Sequence, residues 1–366
     1  MPGSDLDNVV SQIAASSDPQ AGLNQLHPAL YNAFSLAQEY AGLVVRKAIS
    51  NRLWMFEQDP CLCYPDCCSA YTFWAAPLGE WNHQGTIESP SGFVQLGFRS
   101  WAAGGVVGFD KMWNDNICFG GALAYTYDHV KWKGQSQTHG SINSGYGSLY
   151  TSYWNDTFFF QGTAVGAYNH YDGQRHILID GATETIDRTA FCDENGESFD
   201  ANIQIGYVVE KNSCSRSYSF SPFIGADWIY VHKNRFVETG AGSLNLNVLP
   251  NDANFVRGEA GINWAVCSCC GVSPFTFELG LSYVREERFS GAKDTATFVD
   301  LAPEFTVFGL NQSRNLLVPS LGFTKYYLNN QFSISVNYDA ELEIKSNGLA
   351  KQYWNQNGMI RFAYSF

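Results

Sequence analysis

The stretch Phe332-Ser333-Ile334-Ser335-Val336-Asn337-Tyr338-Asp339-Ala340-Glu341-Leu342-Glu343-Ile344 alternates apolar and polar residues over thirteen positions without a break. Successive side chains on a strand point to opposite faces, so this segment reads as a strand with one oily and one polar face. Phe275, Phe277, Leu279, Leu281 and Tyr283 alternate likewise with Thr276, Glu278, Gly280 and Ser282. Around Val256 to Val266, Arg257, Glu259, Gly261 and Asn263 stand opposite Ala260, Ile262 and Trp264. From Asn51 to the C-terminus the period stays at 2.

Twelve strands are expected, at about 70–80, 94–111, 117–130, 141–154, 157–171, 199–210, 217–231, 254–266, 273–285, 316–327, 331–343 and 356–366. A soluble sandwich also alternates, so the connections have to decide. The joins at 113–116, 154–156, 328–330, after 210 and after 266 are short, whereas 172–198, 232–253 and 286–315 are long, with intermediate ones near 81–93, 131–140 and 344–355. All short joins fall at one end. Membrane barrels of the bacterial outer membrane sort their loops this way, with even strand numbers and strands of about 9–11 residues or more. The expected fold is therefore all-β, a 12-stranded antiparallel transmembrane β-barrel.

Composition agrees. Of 366 residues, 45% are hydrophobic, 15% aromatic and 16% charged, which marks a folding chain rather than a disordered one. The formal net charge of −13 provides no basic stripe for phosphate backbones, so nucleic acid is excluded as a partner. The most apolar helical stretch, near Ala41 to Ile49, meets Arg46 and Lys47 at once, so no helix is expected to span a membrane. Met1 to Asn8 lacks a basic and apolar leader, so export implies a signal further upstream.

Before the strands, residues 1–27 read as a polar linker and 28–50 as a helix, with Leu30, Ala33, Ala37, Ala41, Val44 and Ala48 on one side and Asn32, Ser35, Glu39, Arg46 and Ser50 on the other. Pro28 suits a first helical turn. Such a helix is about 35 Å long, close to the thickness of a bilayer core. Its polar face could not meet lipid.

The last strand is Ile360-Arg361-Phe362-Ala363-Tyr364-Ser365-Phe366, with every even position large and apolar and an aromatic at the end. With the helix and twelve strands, the chain resembles the C-terminal translocator β-domain of autotransporters, the type V secretion proteins of Gram-negative bacteria. The resemblance runs from about residue 22 to Phe366. It is carried by Gly22-Leu23-Asn24-Gln25-Leu26-His27-Pro28-Ala29-Leu30-Tyr31-Asn32-Ala33, by Gly104-Gly105-Val106-Val107-Gly108-Phe109-Asp110, by Tyr171-Asp172-Gly173-Gln174-Arg175, and by the final strand.

That resemblance implies an α-helix inside the pore (28–50), a barrel over 51–366, and an N-terminal passenger of which only the end, within 1–27, is present. It implies bacterial outer-membrane localisation, outer-membrane lipid, the barrel-assembly machinery and periplasmic chaperones as partners, and translocation and surface display of the passenger. Ile360, Phe362, Tyr364 and Phe366 would be the assembly signal. Glu39 and Arg46 on the helix would face a polar lumen, into which Arg257, Glu259, Glu278, Asp339, Glu341 and Arg361 point by parity. An outer-membrane porin or adhesin barrel without a secretion role is the alternative. No catalytic residue, cofactor or metal is expected, since no G-x-S-x-G occurs and no Asn-Asn pair stands near the helix end for self-cleavage.

Cys61, Cys63, Cys67 and Cys68 form one cluster and Cys267, Cys269 and Cys270 a second; with Cys118 and Cys214 they fall at or near expected periplasmic strand ends. An oxidising periplasm makes them disulfide candidates, within the chain or to envelope proteins, and this resembles the cysteine-rich outer-membrane proteins of chlamydia-like bacteria. Unpaired thiols and a zinc site at Cys267 and Cys270 remain open. Cys192, in an expected outer loop, has no obvious mate. His170 and His176 read as rim residues, and Trp54, Trp74, Trp81, Tyr230 and Trp264 as an interfacial girdle.

Overall fold

The alternating segments close into a cylinder. The computed structural model describes residues 5–57, 71–88, 94–114, 116–134, 137–155, 157–212, 216–268, 274–299, 301, 303–309, 313–346 and 353–366. The staves are β1 (Tyr71–Gln84), β2 (Phe98–Asn114), β3 (Ile117–Trp132), β4 (His139–Trp154), β5 (Phe158–Asp180), β6 (Thr185–Tyr207), β7 (Arg216–Lys233), β8 (Asn251–Ser268), β9 (Phe275–Ser290), β10 (Ser313–Tyr327), β11 (Phe332–Ser346) and β12 (Trp354–Ser365). Val209–Asn212 carries the line of β6 past Val208 and pairs with β7. Each stave pairs antiparallel with its neighbours, and β12 returns to β1 from Thr72 opposite Ser365 to His83 opposite Trp354. No edge is left open, as hydrocarbon demands.

Parity sorts the side chains. Phe73, Val107, Leu123, Leu149, Ile203, Ile224, Leu281, Phe323, Val336 and Ile360 point outward and are exposed, while Asp110, Asp200, Asp227, Arg257, Glu286, Asp339, Glu341 and Arg361 point inward and are buried. A soluble monomer does not carry an apolar surface of this extent. A bilayer requires it.

Three expectations are corrected. Residues 172–198 are not a loop: β5 and β6 run on as a paired hairpin from Phe158 opposite Tyr207 to Asp180 opposite Thr185. The connections around 232–253 and 286–315 build a four-stranded antiparallel sheet from Phe236–Val237, Leu246–Val248, Lys293–Phe298 and Phe305–Phe308. Trp54 and Trp74 are not girdle residues, because both are buried inside the bore. Trp74 has the inward parity of Thr72 and Ala76 and donates its indole N–H to Tyr150 Oη at 2.8 Å.

The helical region begins with α1 (Asp5–Ala14) and α2 (Pro19–Leu23). Pro28–Tyr31 then makes one 3₁₀ turn, and α3 (Asn32–Glu57) follows. α3 outruns the expected end at residue 50 because Leu53, Trp54 and Phe56 find inward-facing partners. α1 packs Leu6, Val9 and Ile13 against Ile177, Ile179 and Ile186 of the long hairpin.

Leu123 and Phe308 are about equally bare, at 67% and 71% exposed, but only Leu123 lies on the barrel wall within the apolar band. Leu123→Arg is expected to destabilise the barrel by about 2–4 kcal/mol and Phe308→Arg to change little, both read by urea titration in lipid vesicles.

Candidate functional site

The site is the bore and the helix that occupies it. At one end of α3, Tyr31 and Phe34 pack on Phe236, Trp132 and Tyr171. At the other, Trp54 meets Phe159 and Phe223, and Phe56 stacks on Trp154 with ring planes 7° apart. Trp154 sits at a short turn and Tyr171 on the long hairpin, so α3 enters at the extracellular mouth and runs toward the periplasm. Whatever precedes it, α1 and α2 included, lies outside.

Cations on the helix meet acids on the wall. Arg46 Nε stands 3.0 Å from Asp227 and 3.8 Å from Asp200. Lys47 Nζ donates to Asp339 at 2.5 Å and to Glu341 at 2.9 Å. Arg52 grips both oxygens of Asp110, at 2.9 and 2.8 Å. All three cations fall in the C-terminal half of α3, the negative end of the helix dipole. Higher up, Arg314 donates to Tyr40 Oη at 2.6 Å and Arg288 to Asn32 Oδ1 at 2.6 Å.

The wall also ties itself together. Arg257 donates to Glu286 at 2.8 Å and to Glu341 at 2.7 Å, and Glu341 accepts from Tyr353 at 3.0 Å. Asp339 accepts from Asn357 at 3.0 Å. Glu39 is fully buried on α3 with Glu286, Arg257 and Arg314 as its charged neighbours, and neither of its carboxylate oxygens has a hydrogen-bond donor among the described residues. Glu259 lines a cavity of about 100 Å³ beside Arg46 and Lys47. Glu278 lies under Gly322, where an added Cβ would stand 2.8 Å from its Oε2, and Arg361 donates to Ser335 Oγ at 3.0 Å.

The glycine-rich stretch of β2 has a steric reason. A Cβ on Gly108 would stand 2.3 Å from the Trp74 indole, so glycine is what lets Trp74 lie flat against the wall beside Asp110, the acid that receives Arg52. At the mouth, Arg175 donates to Glu238 at 2.8 Å and to the Gln25 carbonyl at 2.8 Å, which straps the segment before α3 to the hairpin. The sequence reading missed Lys47, Arg52 with Asp110, Asp200, Asp227, Glu286 and Arg314. Strand parity could have flagged the five wall residues, and their place on a helix that cannot meet lipid the two helix cations; which acid faces which helix turn depends on the closed cylinder.

Ile360, Phe362 and Tyr364 face outward on β12. The Phe366 amide donates to the Tyr71 carbonyl at 3.0 Å, and the two rings stack. Cys118 is a buried free thiol near the start of β3, facing the bore beside Asp110 and Arg52. Cys192 is likewise a buried free thiol. Cys267 is buried at the lower end of β8. Cys61, Cys63, Cys67, Cys68, Cys214, Cys269 and Cys270 lie outside the described residues.

The family described as autotransporter beta-domain matches residues 73–339. Outer membrane protein B of Rickettsia japonica is 24% identical over 182 residues, 49% of this chain and 10% of that protein; the protein of the same name from Rickettsia conorii aligns with the same identity and coverage. The match thus spans about a tenth of these relatives. Among solved structures, the translocator domain of autotransporter NalP from Neisseria meningitidis superposes with a TM-score of 0.64 at 14% identity, covering 93% of this chain and all of that one. The transport unit of AIDA-I from Escherichia coli gives 0.52 at 12%, covering 81% and 90%. These likenesses show a shared fold.

Two outcomes follow from the site. Asp110→Ala leaves Arg52 buried without its acid and is expected to cost about 3–5 kcal/mol, read as a lower temperature for the folded-to-unfolded mobility shift on gels. At the mouth, burial lowers His27 from 6.5 to about 4, while its Nδ1 accepts from the Ala29 amide at 3.3 Å. The unfolded segment therefore binds the extra proton first. Its docking is complete above about pH 6.5 and weakens as pH falls toward 4. His27→Gln should flatten that dependence, measured by protease access to residues 5–31 across the range.

Proposed function

Because the chain belongs to the autotransporter β-domain family and lies in the bacterial outer membrane, we propose that it anchors there and carries an N-terminal passenger to the cell surface. Residues 1–27 are the end of that passenger, the segment from Pro28 through α3 is the pore helix, and the staves from Tyr71 onward are the translocator. The observation that supports this most is the direction of α3. It fills the bore with its N-terminal end outward, and its cations Arg46, Lys47 and Arg52 meet wall acids, so chain preceding it stands on the extracellular face.

The role is transport and anchoring, not catalysis. Ile360, Phe362, Tyr364 and Phe366 offer the barrel-assembly machinery an exposed apolar edge of the closing strand, and periplasmic chaperones keep the staves apart until they insert. Glu39 and Arg46 with Arg257, Glu259, Glu278, Asp339, Glu341 and Arg361 hold the helix in the lumen. The porin alternative needs an open bore, which α3 occupies.

A reporter domain fused ahead of residue 5 is expected to be cleaved by protease added to intact cells, and deletion of Phe366 to abolish assembly. The purified chain should pass little current in planar bilayers, and removal of residues 28–57 should open it. A reporter that stays protected, or an intact chain that conducts like a wide porin, overturns the reading.

A further inference from the structure

All seven histidines lie toward the extracellular side, and one of them faces two carboxylates. His170 and Asp172 are two residues apart on β5 and therefore share a face. The register sets Asp172 directly opposite Asp193 of β6 and His170 opposite Asn195. Two like charges directly opposite in an antiparallel pair repel. Among the described residues, His170 is the only basic side chain within 4.0 Å of either, with Nε2 3.3 Å from Asp172 Oδ2 and Nδ1 3.8 Å from Asp193 Oδ1.

The geometry has the scale of a coordination sphere. One ligand atom from each of the three residues can be chosen so that all lie within 4.8 Å of one another. Two donors at tetrahedral angles around an ion, each about 2.0–2.2 Å away, stand roughly 3.3–3.6 Å apart, and His170 Nε2 is 3.3 Å from Asp172 Oδ2. His170 Nδ1 is 2.9 Å from Asn195 Oδ1. With the proton on Nδ1 donated to that amide oxygen, the Nε2 lone pair is left facing Asp172, the arrangement by which an outer partner orients a metal-binding imidazole, and Asp193, whose nearest ring atom is that Nδ1, completes the set by swinging its exposed carboxylate toward Nε2. Asp172 and Asp193 also border a cavity of about 560 Å³ that His129 and His139 line as well, with rings 6.0 Å apart.

We propose that the outer wall of the β5–β6 hairpin binds a divalent transition-metal ion of the Zn²⁺ class through His170, Asp172 and Asp193, with its remaining positions open to that cavity. An imidazole with two carboxylates suits such an ion better than Ca²⁺, which takes six to eight oxygens. The ion neutralises the opposed aspartates and clamps β5 to β6 at the base of the projection on which α1 rests. The site was passed over in the sequence because His170-x-Asp172 is a ligand spacing only on a strand, and its third member is twenty-one residues away on the next one.

The test is calorimetric titration with Zn²⁺ of the full chain, alkylated at its thiols before refolding in detergent so that cysteine cannot take the ion, and stripped with chelator. One equivalent is expected, reversed by chelator and weakened at least tenfold in His170→Gln, Asp172→Asn and Asp193→Asn but not in His176→Gln. Asp193 is 74% exposed at its side chain, so its variant keeps the barrel intact should His170→Gln disturb the wall. Gel mobility before and after heating reports folding. No binding by the unaltered chain, equal binding by all three variants, or loss only in His129→Gln or His139→Gln overturns the proposal. It does not rest on the translocator reading, and reporter display should be unchanged in all three variants.

Discussion

Hydrocarbon offers a backbone N–H nothing to bond to, and every other feature of this chain answers to that fact. A sheet of twelve staves would leave two edges; the pairing of β12 onto β1 over Thr72 to His83 removes both. Once the sheet is closed, period-2 alternation has only two destinations. The apolar half of each stave goes to lipid, and the polar half is forced into a shared interior where charges stand within reach of one another.

That interior cannot stay empty and dry. Inward-facing Asp110, Asp200, Asp227, Asp339 and Glu341 would repel across a narrow bore, and α3 brings Arg46, Lys47 and Arg52 to them. Buried ion pairs add little net stability against desolvation, but removing one partner is expensive. Their effect is to specify where the helix sits. A one-turn slide of about 5.4 Å would withdraw Arg52 from Asp110 and Lys47 from Glu341 together.

The staves were legible because alternation of Phe332 to Ile344 and its counterparts is a local property, fixed by backbone geometry and burial on one side. The pore helix was legible for the same reason, since Glu39 and Arg46 are tolerable only in a polar enclosure. What did not read out was non-local. Residues 172–198 looked like a loop because Asp172, Gly173, Gln174 and Arg175 interrupt the apolar pattern, yet above the lipid band a strand needs only its pairing partner, not an oily face. Trp74 looked like an interfacial anchor by composition; its parity with Thr72 and Ala76 turns it inward, and the facing Gly108 leaves it room.

The distribution of inner contacts sets what the helix can do without harming the wall. Glu341 keeps Arg257 and Tyr353 if Lys47 leaves, Asp227 keeps an Asn202 amide at 2.8 Å, and Asp339 keeps Asn357. Three of the four acids contacted most closely by helix cations therefore retain a stave-borne amide or guanidinium donor at 3.0 Å or less. Asp110 is different in degree, since without Arg52 its remaining side-chain donor is the Tyr150 hydroxyl at 3.2 Å. The barrel is thus built to stand with the helix gone along β7, β8 and β11, while at the periplasmic end of β2 it leans on the helix. A segment that must thread outward during biogenesis and then stop is held by such an arrangement: the staves close on their own network, and the last turns of α3 lock in at Asp110.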